Sequence, residues 1–366
     1  MDWDKIVKAA KNEYAGSVAS GILVGDVSEW LDTGCYSLNA LISGSLFGGV
    51  PEGKVTGFAA PSATGKTFIA LQTVKQFLDK YPKSACMYFE SEGALTTEMI
   101  TSRGIDAKRM VIIPVATVEQ FRSQASRILK AYGEEEESKR GRMMFVLDSL
   151  GNLSTEKSVA DAESGNTARD MTKAQQIKTT FTVLTIPLAK LKVPLLVTAH
   201  IYQTMDQYNP AAISGGSGLP YAGSTIIMFY KRKLKDNSGS VAGNDLRCKA
   251  LKSRFTRENS EVNVALRYES GLDKYYGLLD LALQTGVFGK DSTRIVLPDG
   301  KKLFGKTIMD SPEVYFTKEV LEEIDKRLPK IFSYNYADES LPTIDDVESL
   351  ETIELKETSD AEKNED

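Results

Sequence analysis

The chain has 366 residues, 42% of them hydrophobic, with 45 Lys/Arg against 50 Asp/Glu and a formal net charge of −5. That supports one large α/β core with a smaller appendage, and the absence of any run of about 18 apolar residues excludes a helical bilayer span. Three widely spaced cysteines (Cys35, Cys86, Cys248) and one histidine, His200, exclude a disulfide framework and a His-rich metal site and fit a reducing cytoplasm.

Charge is unevenly spread. Residues 338–366 hold 12 Asp/Glu and two Lys, leaving 43 basic against 38 acidic residues before them. An acidic tail on a mildly basic body suits a polyanion binder that carries its own competitor, or a tail that only solvates.

In chain order, residues 1–30 comprise a charged amphipathic helix without a signal-peptide core, then the apolar stretch GILVGDVSEWL. KVTGFAA (54–60) reads as a strand, and residues 67–79 place Phe68, Leu71, Val74 and Leu78 at helical spacing. SACMYFES (84–91) and RMVIIPV (109–115) read as strands, and Thr117 with Gln120 caps a helix through Tyr132. A charged loop (133–142), the strand MMFVLDS (143–149), a helix over roughly 167–190 and the strand PLLVTAH (194–200) follow. Apolar strands alternating with helices predict a parallel sheet covered on both faces. After residue 224, three strands with short connections predict antiparallel additions to that sheet. Residues 271–337 predict a small α+β domain ending in the helix TKEVLEEIDKRL.

Residues 60–67, APSATGKT, match the phosphate-binding loop G-x-x-x-x-G-K-[ST] except that Ala60 replaces its first glycine. Alanine is tolerated wherever φ stays negative. Ala60, Pro61, Ser62, Ala63, Thr64, Gly65, Lys66, Thr67 and the adjoining Phe68 are therefore the candidate ATP contacts. Lys66 would neutralise phosphate oxygens, and the Thr67 hydroxyl and Asp148 would hold Mg²⁺. Glu90 and Glu92 are candidates to activate a water, and His200 to sense the γ-phosphate. Each has an ordinary reading alone, as a helix cap or surface group. Four polar groups at four strand ends, on the edge where open α/β sheets bind ligands, make chance an unlikely source. Residues 151–168 and 201–223 leave that edge as connections far longer than the usual 2–6 residues.

The chain resembles the RecA-type recombinases, most of all the UvsX group of T4-like bacteriophages, over about residues 31–270. The resemblance rests on GCYSLNALISGSLFGGVPEGKVTGFAAPSATGKT (34–67), YFESEGAL (88–95), VLDSLGNL (146–153), GGSGLPYAGS (215–224) and LKSR (251–254). It implies a RecA-like P-loop ATPase core over 31–270, a protomer-linking segment over 1–30, a small C-terminal domain over 271–337 and an acidic disordered tail over 338–366. It implies Glu92, not Glu90, as the water-activating carboxylate, and His200 as the γ-phosphate sensor. Lys252 and Arg254 would reach a neighbouring protomer's ATP, and Met99 stands where relatives stack an aromatic on adenine. Residues 151–168 and 201–223 fall on DNA-binding loops, with Tyr208, Gly215 and Gly216 in the second; Arg169, with Lys173 or Lys178, would follow the DNA backbone.

The implied function is a DNA-dependent ATPase, using ATP and Mg²⁺, that filaments on single-stranded DNA and exchanges strands with duplex. The implied partners are single- and double-stranded DNA, further copies of the chain, a single-strand-binding protein and a loader, in the host cytoplasm if the gene is phage-borne. A ring helicase of the same core, which would carry an added N-terminal docking domain, and an ATP-inactive single-strand scaffold are the alternatives.

Overall fold

The computed structural model describes residues 9, 11, 23–166, 171–203, 211–236 and 238–334. Most of residues 1–22, Arg169, Tyr208 and the tail 338–366 lie outside them.

The central sheet runs in the order β12-β11-β10-β9-β3-β7-β6-β4-β5. Its strands are β3 (Val55–Ala60), β4 (Ala85–Glu90), β5 (Met110–Pro114), β6 (Met143–Asp148), β7 (Leu195–Gln203), β9 (Thr225–Lys235), β10 (Val241–Ser253), β11 (Glu261–Arg267) and β12 (Gly271–Leu272). The first five of these and β9 are mutually parallel; β10 to β12 add antiparallel. The expectation that all three late strands are antiparallel is therefore corrected at β9. Ala222 ends a short helix at the base of the sheet, so β9 enters from the same end as β3 and pairs Thr225 with Thr56 in parallel.

Alternation explains the uninterrupted apolar runs. In β6, Met144 and Val146 join one core while Met143, Phe145 and Leu147 join the other; in β3, Phe58 and Ala60 oppose Val55 and Ala59. The first core is covered by α1 (Tyr36–Ser43) and α2 (Lys66–Lys80), the second by α4 (Val118–Glu134) and α6 (Lys173–Lys190). Between them in sequence lie α3 (Thr97–Thr101) and α5 (Glu156–Glu163).

Helix α2 starts on Gly65 at φ 106° and ends at Tyr81, whose extended backbone suits the following Pro82. It buries Ile69, Ala70, Leu71, Val74, Phe77 and Leu78, whereas Phe68 is 38% exposed and off the core. At the head of α4, Thr117 Oγ1 accepts from Gln120 N at 3.1 Å, and Gln120 Oε1 accepts from Ala116 N at 2.9 Å.

The described residues of the two long connections carry regular structure. Residues 150–166 contain a 3-10 turn (Leu150–Asn152) and α5, capped by Thr155 accepting from Ser158 N. In 201–223, β7 continues to Gln203 and pairs antiparallel with β8 (Ala211–Ile213), and α7 (Gly218–Ala222) follows. The described residues of this segment thus include an antiparallel strand pair and a helix.

The C-terminal part comprises α8 (Leu278–Gln284), the three-stranded sheet β13 (Gly289–Asp291), β14 (Arg294–Val296) and β15 (Lys302–Leu303), and helices that include α11 (Lys318–Arg327). Leu278, Phe288, Ile308, Ile324 and Phe332 join the same core cluster as α1 and α2.

No described helix is long and apolar enough to cross a membrane.

Candidate nucleotide-binding site

Sheet register sets the site. Glu90 pairs with Asp148 across β4 and β6, and Ala60 pairs with His200 across β3 and β7, so the ends of four adjacent strands meet at one edge. The loop 60–67 turns there into the N-terminus of α2. Ala60 is buried and takes no positive φ; Ala63 does, at 54°, as does Gly65. The methyl group that replaces glycine thus sits where the backbone needs no glycine. Among the described residues, the amides of Ala63, Thr64 and Gly65 have no acceptor. With the positive end of the α2 dipole behind them, they form an anion cradle.

Lys66 Nζ donates to Ala60 O (3.1 Å) and Pro61 O (3.0 Å), and burial lowers its pKa against the opposing pull of Asp148 and Glu92. Lys66 Nζ lies 3.4 Å from His200 Nδ1, and His200 Nε2 lies 3.2 Å from Glu92 Oε1. A neutral imidazole satisfies both contacts, Nδ1 accepting and Nε2–H donating. Ser149 Oγ donates to the same Glu92 oxygen at 2.6 Å.

Asp148 is held by three hydroxyls. Thr67 Oγ1 (2.8 Å) and Tyr88 Oη (2.7 Å) donate to Oδ2, and Thr198 Oγ1 donates to Oδ1. Because Thr67 donates its hydrogen, its oxygen lone pairs remain for a cation beside an ionised carboxylate. This hard-oxygen set fits Mg²⁺.

On the other flank of the loop is a cavity of about 910 Å³. Phe68, Gln72, Lys75, Arg103 and Lys231 line one part of it, and residues 266–272 another. The Arg103 guanidinium lies 4.3 Å over the Phe68 ring. Lys231 Nζ donates to Ala63 O at 3.1 Å, tying β9 to the phosphate loop. A cavity of this size, adjoining the anion cradle, suits a nucleoside. Met99 is not among its lining residues; Ser102 and Arg103 form the wall at that point. Tyr268, 67% exposed, stands on the far wall. Tyr88, Arg103, Thr198, Lys231 and Tyr268 were all missed from sequence. For Tyr88 and Thr198 a signal existed, since a hydroxyl inside a strand buried on both faces needs a partner.

Lys252 and Arg254 lie at the opposite end of the sheet. Lys252 pairs with Ile226, which pairs with Gly57, and Arg254 N bonds Ser224 O below the start of β3. Lys252 Nζ donates to Pro220 O (2.8 Å) and Tyr221 O (3.1 Å). At about 3.3 Å per residue, both stand on the order of 10–16 Å from the chain's own phosphate loop.

At the hairpin, Ser214 N donates to His200 O (2.7 Å) and Ser214 Oγ accepts from His200 N (3.2 Å). A Cβ on Gly215 would come within 2.9 Å of Ile177, and one on Gly151 within 2.5 Å of Ser214 Oγ, so glycine lets the two connections close together. Lys173 is half-buried and donates to Gly151 O at 3.0 Å, with its pKa lowered by burial. Lys178 is exposed, 5.3 Å over the Tyr221 ring. Of the two lysines, Lys178 is the one turned outward.

Comparison with known proteins agrees with this geometry. The RecA N-terminal domain model matches residues 22–273, somewhat more than the 31–270 expected. The chain is 28% identical to a recombination and repair protein of Enterobacteria phage T4 over 282 residues, covering 77% of this chain and 70% of that protein. It is 24% identical to Protein RecA of Borreliella afzelii over 326 residues, 84% of each chain, and 23% identical to Protein RecA of Rhizobium leguminosarum bv. viciae over 300 residues, 79% and 81%. With the parallel sheet, the phosphate loop and more than half its length matched, this chain belongs to the RecA family.

Proposed function

We propose that this protein is a DNA-dependent ATPase that assembles as a helical filament on single-stranded DNA and exchanges strands with homologous duplex, in recombination and repair. The observation that carries the reading is the unbroken chain Lys66–His200–Glu92–Ser149, whose His200 backbone is bonded to Ser214 at the base of the β7–β8 hairpin.

The loop amides and Lys66 bind and orient a triphosphate, and Phe68 and Arg103 face its base. Thr67 and Asp148 hold Mg²⁺, which supplies charge neutralisation at the phosphate oxygens. The Glu92 carboxylate orients the attacking water and accepts its proton. Terminal phosphate competes with Glu92 for His200 Nε2–H. Since His200 is backbone-bonded to the hairpin, occupancy of the site biases the hairpin and its neighbour α7. Lys178, exposed on α6, contacts the phosphodiester backbone. Lys252 and Arg254, too far from their own loop, complete a neighbour's site as charge donors.

Negative-stain microscopy with single-stranded DNA and a slowly hydrolysed ATP analogue tests the reading. Long helical filaments that require the analogue support it. Rings would indicate a helicase, and filaments indifferent to nucleotide a passive scaffold.

A further inference from the structure

Two carboxylates leave the end of β4 within three residues, and their surroundings differ. Glu90 is 8% exposed. Its Oε1 accepts from Glu92 N (3.0 Å) and Ala94 N (3.1 Å), and its Oε2 from Gly93 N (2.8 Å). Successive amides aimed at one anion form a nest of the kind that usually receives a ligand. Here the chain's own side chain fills it. Gly93 sits at φ 64°, and a Cβ there would meet nothing within 4 Å. Packing therefore does not hold this turn at Gly93, and the Glu90 hydrogen bonds do.

The other side of the turn is clasped to β6. Ser91 N donates to Asp148 O (2.9 Å), Ser91 Oγ donates to Ser149 O (2.8 Å), and Ser149 N donates to Ser91 Oγ (2.9 Å). Ser149 Oγ then reaches Glu92 Oε1. Glu92 is fixed at both ends, its amide by Glu90 and its carboxylate by Ser149.

We infer that Glu90 is a positioning residue: it fastens the 92–94 turn so that the Glu92 carboxylate meets the attacking water, and takes no proton itself. The inference rests on the hydrolytic reading of the site. Both Glu90 oxygens are taken by backbone amides of its own turn, whereas the Glu92 carboxylate is the one that meets His200 and Ser149.

The test is single-turnover ATP hydrolysis on DNA by Glu90→Ala and Glu90→Gln, with nucleotide affinity and amide exchange of residues 92–94 measured alongside. A misplacement of about 1 Å costs on the order of 100-fold in rate. Glu90→Ala is expected to lower the hydrolysis rate about 100-fold. Glu90→Gln keeps the volume and one acceptor oxygen, and is expected to lose about 10-fold. Nucleotide affinity should stay within about twofold in both, as P-loop contacts are untouched, and exchange should quicken at 92–94 alone. Faster exchange there with an unchanged hydrolysis rate would overturn the inference. So would unchanged exchange with turnover lost as completely as in Glu92→Gln, which would make Glu90 a proton acceptor. If the wild-type protein hydrolyses nothing, the ATPase reading falls, while the exchange data still decide whether Glu90 fastens the turn. Should Glu90→Ala not fold, Glu90→Gln carries the test.

Discussion

At the scale of single residues, the site separates groups that touch substrate from groups that hold them. Glu92→Gln removes only the carboxylate proposed to orient water. It is expected to keep nucleotide and DNA affinity within about twofold and to lower turnover by 100-fold or more, on the order of what a positioned base contributes; steady-state ATPase and nucleotide titration check this. Tyr88 does its work from the core. Its ring is fully buried and its hydroxyl is one of three donors to Asp148. Tyr88→Phe keeps the packing and deletes that donor. Partners that orient a metal-binding carboxylate are worth about 10–100-fold in metal affinity. The variant is expected to bind Mn²⁺ in the presence of ADP about 10-fold more weakly by electron paramagnetic resonance. Equal affinity would mean that Thr67 and Thr198 suffice.

At the scale of elements, much of the core was legible and the loops were not. Strands β3, β4, β6 and β7 stood out because strands covered on both faces are continuous apolar runs, and an acid or histidine at the end of such a run marks the binding edge. The choice between Glu90 and Glu92 was not legible from spacing, since both stand at the end of the same strand; their burial and hydrogen-bond partners separate them. The pairing of β7 with β8 carries no sequence signal, because β8 is three residues of Ala-Ala-Ile, too short for a period. Phe68 fitted the helical apolar pattern of α2 but faces a cavity whose other wall, 266–272, comes from about 200 residues later, where no local signal points to it.

The N-terminal segment leading to β1 (Trp30–Leu31) is fastened to the same framework by charge. Arg142 Nη1 lies 2.6 Å from Glu52 Oε1, Ser28 Oγ donates to Glu52 Oε2, and Glu52 N donates to Glu29 O. Burial raises the Glu52 pKa, and Arg142 opposes that shift. A raised folded-state pKa means that ionised Glu52 costs stability at neutral pH, a cost relieved as pH falls through that pKa. Arg142→Ala removes the compensating charge. It is expected to destabilise the fold by about 2 kcal/mol at pH 7, less than a fully buried pair because Arg142 is partly exposed. The difference from wild type should shrink on acidification as Glu52 protonates, which thermal unfolding at pH 7 and about pH 4.5 measures.

At the scale of the whole molecule, one sheet carries polar and charged groups at two ends. The phosphate loop, Glu92, Asp148 and His200 occupy the end where β3 and β7 finish; Lys252 and Arg254 occupy the end where they begin. In the proposed reading the two halves of a phosphoryl-transfer site lie at opposite ends of one sheet, so the site closes only by stacking on a second copy. Lys66→Ala removes the loop's charge and keeps the donors. The double variant Lys252→Ala, Arg254→Ala keeps the loop and removes the donors. Each alone is expected to hydrolyse little ATP on single-stranded DNA. The decisive measurement is the DNA-dependent ATPase rate of the two proteins mixed in equal amounts, with co-assembly verified by labelling. Activity well above the sum of the separate rates is the predicted result, since some interfaces then pair an intact loop with intact donors. Verified mixed filaments without recovered activity would contradict an ATP site completed between protomers.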